Sequence, residues 1–154
     1  MNKKHLMQAV LFASFFAIAE SIIAGDGVGD WFGTISQPGY SLPIWGWGIV
    51  GGLYYVAMTV ILYRLFDQKI GTKDNKAIWL IALLMIYNGL WNYLLFGLDS
   101  TLLAFVGLIP FVIYVFFVMT YIYYKDRVSG WILLIYVFWL LYDLYWTYGL
   151  WRLN

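Results

Sequence analysis

The chain has 154 residues, of which 64% are hydrophobic, 22% aromatic and only 11% charged, with a formal net charge of +1. A soluble domain is about 45–50% apolar and about 25% charged, so the composition excludes a water-soluble globular domain and a disordered chain. The near-zero charge also leaves no basic patch for nucleic acid. Cysteine is absent and His5 is the lone histidine, which removes disulfides, thiolate nucleophiles and His/Cys metal clusters. The expectation is one domain over residues 1–154, an all-α membrane protein.

A spanning helix needs about 20 mostly apolar residues to cross about 30 Å of hydrocarbon. Five segments qualify: Leu6–Ala24, Ile44–Phe66, Ala77–Phe96, Thr101–Tyr124 and Gly130–Trp151. Runs such as Leu102–Val118 are apolar on every side, unlike the alternating strands of a membrane barrel. In lipid the backbone must bond to itself, which makes these runs helices. The first follows Lys3 and Lys4 as a signal peptide would, but its apolar run is long and lacks a small-x-small cleavage site, so it is read as retained. Glu20 falls near its far end, where hydration at the outer surface is the simplest reading.

The spans are joined by short inner loops and a short Gly97–Ser100 turn, so neighbours should be antiparallel and adjacent. Lys3, Lys4, Arg64, Lys69, Lys73, Lys76, Lys125 and Arg127 share one side, and only Arg152 lies on the other. That bias predicts a cytoplasmic N-terminus and an outer C-terminus. Asp26, Asp30 and Asp99 fall on the outer side.

Between the first two spans lies a 19-residue outer loop, Gly25–Pro43. Long loops in compact folds often carry function, and Trp31, Phe32 and Tyr40 give this one apolar anchors. A lid over the outer mouth of the bundle is expected; an interfacial loop with aromatics at headgroup level is the alternative. In the second span, Gly48-x-x-x-Gly52 with Gly46 and Gly51 leaves one face nearly bare. Close helix packing is the simpler reading, and room for a flat ligand is the sharper one. Pro110 falls inside the fourth span and predicts a kink.

The third and fifth spans carry the polar candidates. Asn88 and Asn92 lie one turn apart with Trp91 between them, and serve either interhelical bonding or a ligand. Asp143 lies deep in span five, where an ionisable group is expensive and should face the bundle interior. Trp139, Asp143 and Thr147 recur at i, i+4 and i+8, with Tyr136 one turn before Trp139, so the four share a face. That face is either a pocket wall, with rings for a flat ligand and a carboxylate for its polar or cationic group, or an interhelical hydrogen-bond site. Trp45, Trp47, Trp131 and Trp151 sit near helix ends and read as interface anchors. Leu144-x-x-x-Tyr148-x-x-x-Arg152 fits a proposed cholesterol pattern of low specificity. No Ser-His-Asp set, metal cluster or phosphate loop is present; Gly25-x-Gly27-x-Gly29 lacks the strand–helix context of a nucleotide site.

Three blocks resemble the TspO/MBR family of tryptophan-rich sensory and translocator proteins. Trp31-Phe32-x-x-Ile35-x-x-Pro38-x-Tyr40-x-Leu42-Pro43 is similar to the family's W-Y-x-x-L-x-x-P-x-W-x-P-P, and leads into Leu53-Tyr54-Tyr55-x-Ala57-Met58. Asn88-x-x-Trp91 followed by Leu95-Phe96-Gly97 is similar to N-x-x-W…F-F-G. Tyr136-x-x-Trp139 through Trp151-Arg152-Leu153-Asn154 is similar to P-Y-x-x-W…L-N-x-x-x-W-R-x-N. The order and spacing of the blocks carry the match across the chain. This sequence departs from the pattern at Leu42, at Gly51 where a tryptophan is expected, at Gly107 where an acid is usual, at Ile135, and at Asp143 where a small residue is expected.

The resemblance implies a bundle of five transmembrane helices with a ligand pocket under a long first outer loop. Members bind porphyrins, animal members also bind cholesterol and benzodiazepine-type drugs, and many dimerise. Some bacterial members degrade protoporphyrin in light through pocket tryptophans, one matching Trp139 and the other the position of Gly51. The expected function is a sensor or carrier for a flat hydrophobic ligand, a porphyrin or sterol, with no cofactor required. Its expected partners are membrane lipid and a second copy of the chain, in a bacterial or archaeal cytoplasmic membrane. The candidate ligand residues are Trp31, Tyr40, Tyr54, Asn88, Trp91, Tyr136, Trp139, Asp143 and Thr147. The alternatives are a photo-oxidative enzyme using Trp139, and a proton-coupled transporter using Asp143 and Glu20.

Overall fold

Capping side chains set helix ends beyond the apolar runs. Asn2 accepts a hydrogen bond from the Lys4 amide, so the first helix, α1, starts at Lys3 and runs to Ala24. Asp126 accepts from the Ser129 amide and starts the last helix, α6, at Arg127; it ends at Leu153. These ends extend the sequence-based spans by a few residues, because a cap can be polar where hydropathy sees only the lipid-facing run. The computed structural model describes residues 2–25, 28–67 and 75–154. Between α1 and α6 lie α2 (Val28–Thr34), α3 (Ile44–Phe66), α4 (Asn75–Asn92) and α5 (Thr101–Tyr123). The short α2 lies inside the long loop that the sequence reading expected to form a lid. A π-helical turn at Tyr93–Gly97 completes α4, and α5 continues through Pro110. No strand occurs among the described residues.

Among the described residues, five helices are long and apolar enough to cross a membrane: α1, α3, α4 with its π turn, α5 and α6. Their packing order is a ring, α1–α3–α6–α5–α4 and back to α1, with α5 and α6 the most extensive pair. Gly130 permits that pair's tight turn, since a Cβ there would lie 2.6 Å from the Tyr123 Cα. The outer surface is apolar, with Trp79 74% and Ile135 71% exposed, while Asp143 inside is 4% exposed. This inversion suits a hydrocarbon solvent, which gains nothing from hiding apolar side chains.

The termini lie at opposite ends of the bundle. The Asn2 amide donates to Tyr63 Oη at 3.3 Å and His5 Nδ1 lies 3.3 Å from Asp67 Oδ1, tying the N-terminus to the end of α3. Asn154 instead meets Ser36 of the long loop, with its Oδ1 accepting from the Ser36 amide at 2.9 Å and its Nδ2 donating to the Ser36 carbonyl at 3.0 Å. Lys69, Lys73 and Asp26, which enter the charge argument, lie outside the described residues.

At the N-terminal end, Arg64 and Asp126 form a two-pronged ion pair of 2.6 and 2.7 Å that joins α3 to the α5–α6 turn. Burial pushes the Asp126 carboxyl up, but the Arg64 guanidinium and the Ser129 hydroxyl and amide outweigh it and hold the group at about 2, below the ordinary 3.8. The pair's contribution to stability is therefore whole above about pH 3.8 and is lost as pH falls through about 2. Asp126→Ala, which also removes the α6 cap, should lower the unfolding free energy at neutral pH by about 2 kcal/mol. Chemical unfolding in detergent checks this, with wild type and variant converging as the pH approaches 2.

Candidate functional site

Glu20 on α1 is the polar hub of the bundle. Tyr55 of α3 donates to its Oε2 at 2.6 Å, and Asn88 of α4 donates to the same oxygen at 2.9 Å. Asn92, one turn further along α4, donates to Oε1 at 2.7 Å. Asn88 Oδ1 in turn accepts from Tyr136 of α6 at 3.0 Å. Three helices thus meet at one carboxylate and α6 joins them through Asn88, and the i, i+4 spacing lets both asparagines reach Glu20. This corrects the expectation that Glu20 is merely hydrated near the outer surface. Residues 20, 88 and 92 were all visible as polar groups in spans; their convergence was not, because pairing across helices is a tertiary property.

Beside this hub is a cavity of about 340 Å³ bounded by α1, α3, α4 and α6, with Val28 and Phe32 of α2 contributing to its wall. Its aromatic side is built on Trp47. The Trp47 ring lies 4.2 Å from that of Trp146 and 5.5 Å from that of Trp139, centroid to centroid. Phe32 stacks near Trp146 at 6.3 Å. Gly48 and Gly51 also border the cavity, and a Cβ at either would meet nothing within 4 Å. The same holds for Gly52. Among the described residues no helix packs closely on these glycines, and the backbone of Gly48 and Gly51 stands beside open space.

Asp143 lines this cavity from α6, and its Oδ1 has no hydrogen-bond partner. Tyr54 Oη is likewise buried without a partner. A buried polar atom left unmatched costs about 1–3 kcal/mol, so these two atoms are the places where a bound molecule gains most. Among the described residues no group of three metal-ligating side chains gathers.

Of the candidate residues, Tyr54, Asn88, Trp91, Tyr136, Trp139 and Asp143 come together at the cavity. Trp31, Tyr40 and Thr147 are not among its lining residues. Trp31 packs edge-on against Phe96 at 5.4 Å, and Tyr40 stacks on Tyr145 at 4.4 Å. Thr147 Oγ1 donates to the Asp143 carbonyl at 2.8 Å, the back-bond that a helical threonine makes to its own preceding turn. Trp47 and Trp146 are the residues that sequence reasoning missed. Trp47 stands near the start of α3 and read as an interface anchor; the packing of α3 on α6 turns it inward. Trp146 gave a signal, three residues after Asp143 and so on a neighbouring face, but nothing set it apart from the other rings of α6.

The long loop is docked on α6. Tyr142 Oη donates to the Tyr40 carbonyl at 3.0 Å and Trp146 Nε1 to Ser41 Oγ at 3.0 Å. Glycine at 149 permits this approach, since a Cβ there would collide with Tyr40 Oη and lie 2.8 Å from the Pro38 ring.

These features define a small polytopic membrane protein with an aromatic-walled cavity inside its helix bundle. Residues 9–152 match the TspO/MBR family, and the chain belongs to that family. It is similar to the tryptophan-rich protein TspO of Archaeoglobus fulgidus, with 27% identity over 155 aligned positions that cover 100% of this chain and 99% of that relative. Family and helices together make it a multi-pass integral membrane protein of a class that binds ligands as sensor or carrier.

Gly149→Val should push the Tyr40 segment off α6. Hydrogen exchange is the readout: the Ser41 amide, now bonded to the Pro38 carbonyl at 2.9 Å, should exchange about tenfold faster. Amides in the middle of α5 should keep their protection.

Proposed function

We propose that the protein binds a flat, largely hydrophobic molecule in the cavity between α1, α3, α4 and α6, as a sensor or carrier in a bacterial or archaeal cytoplasmic membrane. The observation that carries this reading is the wall of Trp47, Trp139 and Trp146 facing a volume of about 340 Å³. Indole faces favour offset stacking on planar rings, and ligand pockets span about 300–1,000 Å³. The glycine backbone at Gly48 and Gly51 leaves one side open to a broad ring system. Asp143 brings a carboxyl group to the same wall, with one oxygen lacking a protein partner, to meet a polar group of the ligand. A porphyrin is the first candidate and a sterol the second, following the family resemblance. The same reading has the N-terminal face cytoplasmic, by the charge bias, and two copies associating.

Protoporphyrin titrated into the detergent-solubilised protein should quench tryptophan fluorescence saturably, near one ligand per chain. Trp139→Ala should weaken binding by about tenfold through loss of ring stacking. Absence of saturable quenching by flat ring ligands of any charge would remove the reading.

A further inference from the structure

Among the described residues, two carboxylates border the cavity and no basic side chain does. Glu20 and Asp143 both line it, and its lining residues include no lysine, arginine or histidine. At the N-terminal end of the bundle Arg64 pairs with Asp126, and His5 Nδ1 lies 3.3 Å from Asp67 Oδ1.

The two acids are held differently. Glu20 is met by Tyr55, Asn88 and Asn92, donors that are all neutral. Its geometry is fixed, but no positive charge stands against it. Asp143 is 4% exposed, faces the cavity, and leaves Oδ1 without any hydrogen-bond partner. The remaining wall is aromatic, and tryptophan faces attract cations through the ring quadrupole. Carboxylates in a poorly screened interior attract a cation and repel an anion far more strongly than they would in water. The unmatched oxygen needs a hydrogen on the ligand, which a protonated nitrogen has and a quaternary ammonium lacks.

We propose that this cavity selects flat ring ligands bearing a protonated nitrogen, with its N–H donated to the Asp143 carboxylate and its charge compensated by Asp143 and Glu20. The inference rests on the ligand-binding reading above and narrows it to one charge class.

A matched ring series tests it: aminoacridine, acridine and acridine carboxylate, which near neutral pH are cation, neutral molecule and anion. Each is titrated by tryptophan quenching against the protein in an uncharged maltoside detergent. The cation should bind roughly tenfold tighter than acridine, with the carboxylate weakest. Asp143→Asn keeps the side-chain shape and should weaken the cation by roughly tenfold more than it weakens acridine. Acridine thereby reports that the variant cavity is intact, and the wild-type series alone decides if a variant does not fold. Equal affinity across the three charges, or a cation preference that survives Asp143→Asn, overturns the proposal and leaves the ligand-binding reading standing. Failure of all three probes and of protoporphyrin overturns both.

Discussion

Everything in the bundle is arranged around a carboxylate that cannot stand alone in hydrocarbon. Apolar contacts between helices offer little advantage over contacts with lipid tails, so they select neither register nor neighbour strongly. Hydrogen bonds do. Glu20 draws Tyr55 of α3 and the two asparagines of α4 onto α1, and Asn88 passes the connection to Tyr136 of α6. Once these contacts are made, the rotation of each helix is set, and with it which rings face inward. Trp47 and Trp139 then meet at the cavity rather than at the lipid surface.

The two ends of the bundle are closed by different chemistry. At the N-terminal end, the Arg64–Asp126 ion pair and the Ser129 hydroxyl fasten α3 to the α5–α6 turn. At the other end, neutral hydrogen bonds from Tyr142, Trp146 and Asn154 hold the long loop against α6. The charged clamp lies where α5 and α6 are densely packed, and the neutral one lies beside the cavity. A loop held by a few neutral bonds opens at lower cost than a pair of packed helices, which places the more easily opened boundary next to the space a ligand would enter.

Two departures from the family pattern act on the same cavity. Gly51 stands where a tryptophan is expected and leaves open space, while Asp143 stands where a small residue is expected and brings a buried oxygen without a partner. Bulk is lost from α3 and charge is gained on α6. Neither change touches the Glu20 hub, so the bundle keeps its architecture while the chemistry presented to a bound molecule changes.

Hydropathy alone determined the five spans, because the bilayer thickness imposes a length that a chain either meets or does not. Placing Asp143 in the interior also followed from the sequence, since an acid deep in a span has no favourable place facing lipid. Spacing along one helix brought Tyr136, Trp139 and Asp143 to one face correctly. Thr147, whose short hydroxyl bonds back to its own helix, and Tyr40, which stacks on Tyr145, stand outside the cavity lining. What only the tertiary structure decided is which polar groups meet across helices and which of nine tryptophans turn inward. Glu20 read as a surface acid and Trp47 as an anchor because each sits near a helix end. Their true surroundings depend on how α1, α3, α4 and α6 rotate against one another, and no periodicity within a single helix contains that rotation.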